Sequence, residues 1–314
     1  MLRRLATLAT VLMALHLPAM AQTLDGAIDM HIHSGPDGSP RLIDALDLTR
    51  LAKSKGMRAL VLKNHHESTA AQAYLVRKVV PGIEVFGGIS LDLSVGGVNP
   101  AAVDWMAHME GGYGKVVWLP TNDSEANVKR VAAGGGRGGR GGRGDAPVAA
   151  AAPRPFVSVI RDGKVLPDVL EVFDIIAKNN MVLETGHSSP SESLILIPEA
   201  KRHGVKNILV THAFANPGGS MTIEEAHEAA KMGAFIELVY DPFDDATLQH
   251  TADAIHTIGA ASFVLSSDLG QRGRPLHPDG LLALYQALAK RGISVAEIDQ
   301  MGKVNPAKLL GLQP

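Results

Sequence analysis

A closed barrel of eight parallel strands alternating with helices, a (β/α)8 TIM barrel, is the fold this sequence predicts, and three observations predict it. Short apolar runs of strand character alternate with segments of helical periodicity from residue 27 to residue 290. The chain has 314 residues, 46% hydrophobic and 20% charged. That is ample core for one domain of this kind, which usually takes about 250 residues and more with insertions. Finally, the residues able to do chemistry concentrate where the predicted strands end. An open doubly wound sheet would share the alternation, but no phosphate-binding glycine fingerprint follows the first strand.

The first strand is A-I-D-M-H-I-H-S-G, residues 27–35. Strict alternation places Ile28, Met30 and Ile32 on one side and Asp29, His31 and His33 on the other. A Gly/Pro-rich turn follows, then a helix over 42–55 stopped by Gly56. Strands are predicted at 57–64, 83–89 and 115–119, with helices at 69–79 and 100–110. The rhythm breaks at 132–152, where G-G-G-R-G-G-R-G-G-R-G-D precedes an Ala/Pro stretch. This composition cannot bury enough apolar surface to fold, so it reads as a flexible Gly/Arg-rich insertion after strand four. Strands then recur at 181–185, 207–211, 234–239 and 262–267, separated by helices at 167–178, 191–203, 222–232 and 244–258. Extra C-terminal helices at 278–290, 295–301 and 306–310 complete the chain.

Residues 1–21 read as a secretory signal. Arg3 and Arg4 begin it, residues 5–17 form its apolar core, and Ala19-Met20-Ala21 offers a cleavage site. A cut after Ala21 predicts a secreted or periplasmic protein whose single domain spans 22–314. The apolar run is too short for a comfortable membrane span, which needs roughly 20 residues, and no later stretch qualifies. No membrane partner is therefore expected once the signal is removed. The formal charge of −2 gives no reason to expect nucleic acid. With no cysteine in the chain, disulfides and thiolate ligands are excluded. Any metal chemistry falls to His, Asp, Glu and Lys.

At the strand ends stand His31 and His33; Lys63, Asn64 and His65; Thr121; Thr185 and His187; Thr211 and His212; Glu237 and Asp241; then Ser266, Ser267 and Asp268. In a barrel these ends meet at one mouth, where active sites lie. Glu184 is one residue out of phase with Thr185 and His187, which predicts that it faces the helices.

The pattern resembles the amidohydrolase superfamily of metal-dependent hydrolases along the whole barrel. The resemblance rests on D-M-H-I-H at His31 and His33, L-E-T-G-H at His187, L-V-T-H at His212 and L-S-S-D at Asp268. The closing N-P-A-K-L-L-G-L also looks like the C-terminal helix of many amidohydrolases. V-L-K-N-H, F-G-G-I and S-S-D-L-G-Q are most similar to a poorly characterised amidohydrolase-related group. One departure stands out. Binuclear members commonly carry a bridging carboxylated lysine on strand four, but the only lysine of K-V-V-W-L-P-T is Lys115, at the wrong end. Lys63 on strand two, on the same face as His65, is at a productive end.

The resemblance implies metal ligands among His31, His33, His187, His212, Asp268 and Lys63. The ion would be divalent, zinc first with Mn²⁺ or Fe²⁺ as alternatives, and one or two per chain. Asp268 would move protons and His212 would bind a second ion or polarise a carbonyl. Lys63 would carry a bridging carbamate or hold a substrate carboxylate. His65, Asn64 and Arg272 are the expected substrate contacts. The implied activity is cleavage of an amide, cyclic amide, lactone or ester in a small molecule, with a homo-oligomer left open. Phosphoester or phosphotriester cleavage would share almost every ligand, and isomerase or decarboxylase chemistry also occurs in the superfamily. A non-catalytic exported metal- or ligand-binding barrel could dispense with Asp268.

Overall fold

The computed structural model describes residues 22–134, 154–241 and 244–313. The predicted signal therefore lies outside the described residues, as does most of the low-complexity segment. Eight strands form a single parallel sheet in sequence order: β1 Ile28–Ile32, β2 Ala59–Leu62, β3 Glu84–Ser90, β4 Gly114–Trp118, β5 Val182–Glu184, β6 Asn207–Val210, β7 Phe235–Val239 and β8 Phe263–Ser266. The sheet closes at the top of its last seam: His33 N–H donates to Leu269 O and Asp268 N–H to His31 O, both at 2.8 Å. The (β/α)8 barrel read from the sequence is the architecture found.

Strand boundaries agree with the periodicity to within one or two residues. Helices follow the strands: α1 Ala45–Ser54, α2 Ala70–Val79, α3 Pro100–Ala107, α4 Glu125–Ala132, α5 Pro167–Lys178, α6 Pro190–Arg202, α7 Ile223–Lys231, α8 Asp245–Ile258 and α9 His277–Ala289. The first helix begins three residues later than expected. Asp44 caps it by accepting from Asp47 N–H, while Leu42 N–H donates to Gly270 O, tying the preceding residues to the β8 loop.

The stretch after β4 is more ordered than a plain loop. Ser124 caps α4 before residues 135–153, and a two-stranded hairpin, Ile160–Arg161 with Lys164–Val165, precedes α5. At the C-terminus, the helix expected over 295–301 is a short α10, Val295–Asp299, running through a π-helical turn at Gln300–Val304 into α11, Asn305–Leu310.

Two apolar layers hold this together. One lies between sheet and helices, with Leu60, Leu183 and Ile236 packing outward. The other fills the barrel interior with Ile28, Met30, Val61, Phe86, Trp118 and Val182, and Leu309 and Leu310 of α11 pack against it. Burying a large apolar side chain is worth about 1.5–3 kcal/mol relative to exposure, so the interior plug alone is a substantial share of the stability.

Two sequence expectations about facing fail here, each for a backbone reason. The β1 register shifts between Asp29 and Ile32, so strict alternation breaks. Ile28 and Met30 point inward while Ile32 packs outward against the helices. Asp29 instead accepts from Ser267 N–H at 2.9 Å across the last seam. Burial pushes its pKa up to about 7. Glu184 does not face the helices: it is fully buried and shares its phase with the interior Val182. Gly186, at φ +62°, turns the chain after β5, and a Cβ there would lie 2.2 Å from Leu119 O. That turn lets His187 reach the mouth although Glu184 points inward.

Candidate metal centre and active-site cavity

The bulge in β1 delivers His31 into the barrel as well as His33. His31 Nδ1 lies 3.2 Å from Glu237 Oε2, His31 Nε2 3.3 Å from Asp268 Oδ1 and 2.9 Å from Lys63 Nζ. His33 Nε2 lies 3.2 Å from the same Asp268 oxygen. The imidazoles of His31 and His212 stack with centroids 5.7 Å apart, and those of His187 and His212 are 5.1 Å apart. Trp118 is the floor, 5.8 Å from the His31 ring. The sequence's five ligand-type residues therefore meet at one place, with Lys63 among them.

Two of them are held in unusual backbone. His212 has φ +28° and Asp268 φ +48°, the left-handed region that non-glycine residues rarely occupy. Such strain costs about 1–3 kcal/mol per residue and persists where surrounding structure enforces it. Glu237 enforces the first by accepting from His212 N–H at 2.9 Å. The β1 seam enforces the second through the Asp268 N–H bond to His31 O.

The donor set fits a divalent ion. His31, His33 and Asp268 place one ligand atom each within 4.8 Å of one another, and so do His31, Glu184 and Glu237. Nδ1 of His187 and of His212 is buried without a hydrogen-bond partner, a costly state that coordination would relieve. The nitrogen and oxygen donors suit zinc, manganese or iron.

Burial favours the neutral form of His33, His65, His187 and His212, the form that ligates. It pulls His212 down to about 3 and His65 to about 4, and His33 and His187 well below the usual imidazole value. Burial also lowers Lys63, against the pull of Asp268, Glu184 and Glu237. Glu184 is pushed well above the normal carboxyl range by burial and by the Glu237 charge. Burial pushes Glu237 upward too, but the charge and hydrogen bond of His31 outweigh it and hold Glu237 low.

These groups open onto a cavity of about 410 Å³. Its base is His33, Lys63, His65, His187, His212 and Asp268; its side wall includes Asn122, Asp123, Asn127, Val131 and Arg154 from the β4–α5 segment.

Residues 26–237 match a family described as a family of unknown function, DUF6282. The chain belongs to the DUF6282 family. Comparison with curated proteins gives no match. Among solved structures, this DUF6282 barrel is similar to an amidohydrolase from Pseudomonas aeruginosa, at 13% identity and TM-score 0.58, covering 90% of this chain and 95% of that one. It is also similar to an organophosphorus hydrolase from Deinococcus radiodurans, at 15% and 0.60, covering 91% and 92%. A 2,6-dihydroxybenzoate decarboxylase from Rhizobium aligns at 13% and 0.52, covering 91% and 99%. The fold is that of the amidohydrolase barrels.

The DUF6282 structure treats the three expected substrate contacts differently. His65 lines the cavity. Its Nδ1 pairs with Thr121 Oγ1 at 2.8 Å, and because the threonine hydroxyl donates to Asp92 it must accept from His65, leaving Nε2 as a lone-pair nitrogen. Asn64 is buried but donates to Pro36 O at 3.0 Å and to Glu67, bracing the β1 and β2 loops away from the cavity lining. Arg272 is exposed and does not line the cavity; Arg41 stands on its wall instead.

The site also contains residues the sequence did not flag as functional, Glu184, Glu237 and Asp92. Glu237 sits two residues before the end of β7 and reads from sequence as one more inward polar residue. Its bond to His31 Nδ1 fixes that proton there and leaves the Nε2 lone pair facing the mouth. We expect Glu237→Gln to weaken metal binding about 10- to 100-fold, measured by competition with a chromogenic chelator. Unchanged affinity would show that His31 does not need this partner.

Proposed function

We propose that this protein is a metal-dependent hydrolase that cleaves an amide, cyclic amide, lactone or ester in a small molecule. The observation that carries the reading is the convergence of His33, His187, His212 and Asp268, with Lys63, at the base of one cavity, around the fully buried His31. A divalent ion, zinc first, held by these side chains supplies a Lewis acid, which in such sites brings the pKa of water down to about 7. Asp268, 3.2–3.3 Å from His33 and His31, accepts the proton of the attacking water and passes it to the leaving group. His212 polarises the scissile carbonyl or binds a second ion. His65 offers its free nitrogen to the bound substrate. Lys63 would, as a carbamate, help hold the metal or, as an amine, contact the substrate.

The likeness to the organophosphorus hydrolase supports a second reading, phosphotriester cleavage on the same residues. Action as a secreted or periplasmic protein, after removal of residues 1–21, is part of the proposal.

The test is metal content per chain by plasma mass spectrometry, for wild type and Lys63→Ala purified without chelator, followed by a panel of esters, lactones, cyclic amides and phosphotriesters. We expect bound divalent metal and turnover that chelation removes and zinc restores. A fall in ion count in Lys63→Ala assigns Lys63 to the metal, whereas an unchanged count makes it a substrate contact. No retained metal after reconstitution would overturn the reading.

A further inference from the structure

We propose that the substrate carries a carboxylate, received by Arg41 at the cavity wall. This rests on the hydrolase reading and narrows its substrate class. Arg41 is not an incidental loop residue. Its side chain is 5% exposed, and its Nε donates to Asp37 Oδ2 at 2.6 Å. Nη2 bonds the same oxygen. The backbone of Arg41 bridges to Gln271, whose side-chain amide donates to Asp268 O at 3.1 Å. The backbone that carries the guanidinium is therefore tied to the loop that carries Asp268, and the guanidinium itself is held by Asp37.

Asp37 takes up one edge of a planar fork that has five N–H donors, leaving Nη1 over for a ligand. A guanidinium held this way loses little freedom when it binds an anion, and its geometry matches a carboxylate. The other arginine lining the cavity, Arg154, is already engaged, its Nη1 2.7 Å from Asp123 Oδ1 and its Nη2 bonded to Asn122 O, so Arg41 is the lining guanidinium with a donor to offer. Among the lining residues only Val131, Ala215 and Pro217 carry apolar side chains, so most of the groups a substrate meets can hydrogen-bond.

Two hydroxamates test this, because a hydroxamate chelates the metal whatever else the molecule carries. Succinic acid monohydroxamate has a free carboxylate; butyrohydroxamic acid is its uncharged analogue. We expect calorimetry on the zinc-reconstituted protein to show the charged probe binding about 10- to 100-fold tighter, as one charge-assisted contact allows. Arg41→Gln should abolish that preference while keeping the affinity for the neutral probe, and Arg41→Lys should restore part of it. Equal binding of the two probes by wild type, or a preference that survives in Arg41→Gln, overturns the inference and leaves the hydrolase reading intact. If Arg41→Gln binds neither probe, the wild-type ratio and Arg41→Lys decide. If the wild-type protein retains no metal and binds neither, the hydrolase reading falls and this inference with it.

Discussion

Asp268→Asn is expected to leave the barrel folded and to lower kcat/KM by about three orders of magnitude, within the range for loss of a positioned general acid/base. The amide keeps the shape of the carboxylate, so the seam bond from Asp268 N–H to His31 O and the left-handed turn survive. What disappears is the negative charge and basicity of the carboxylate whose Oδ1 lies 3.3 Å from His31 and 3.2 Å from His33. His31→Ala is expected to be at least as damaging, because His31 belongs to both groups of close ligand atoms. For either variant, circular dichroism should match wild type while metal content falls. Retained turnover in Asp268→Asn would remove the aspartate from the mechanism, and retained metal in His31→Ala would move the ion elsewhere.

The second large effect concerns acid. Four buried histidines, His33, His187, His212 and His277, and the part-buried His65 have imidazoles whose protonation desolvation disfavours, His277 falling to about 4. An unfolded chain protonates them near pH 6.5, the folded chain only at far lower pH. Between those limits the unfolded state holds more protons, so stability is full above about pH 6.5 and is lost as pH falls. Asp29 and Glu184 act oppositely, because their raised pKa values let the folded state keep protons that the unfolded state has released. The balance is about three protons, or as an upper bound roughly 4 kcal/mol per pH unit. Against a typical stability of about 5–15 kcal/mol, we expect the metal-free protein to unfold between pH 6 and about 4.5. Urea titrations in EDTA at stepped pH check this, and a midpoint that stays level across the interval would contradict it. Bound metal should move the transition to lower pH, because its ligands must stay deprotonated.

The barrel was legible in the sequence because hydrophobic period and length both report on it. The ligand histidines were legible because strand ends in a barrel face one mouth. What alternation could not convey was where the backbone leaves the ideal pleat. The β1 bulge sends Met30 and His31 to the same side, and Gly186 separates the phase of Glu184 from that of His187. Glu237 was visible as a strand-end acid, but its role depends on a partner 206 residues away in sequence. Arg41 stayed hidden because it lies in a loop whose path is set by pairing with Gln271 rather than by any local period. Likewise α4 was obscured by the low-complexity stretch that follows it.

The β4–α5 segment contributes Asn122, Asp123, Asn127, Val131 and Arg154 to one side of the cavity, while the ligand residues all come from other strands and their loops. In the proposed reading, part of the surface that meets a substrate is thus encoded apart from the residues assigned to the metal, although Arg41 and His65 are not. Substitutions at the cavity-facing Asn122, Asp123, Asn127, Val131 and Arg154 would then retune which molecules are admitted, so long as Ser124, whose hydroxyl donates to His187 O at 2.9 Å, is kept. A scaffold partitioned in this way is a natural starting point for divergence, and for grafting new selectivity onto an unchanged reactive centre.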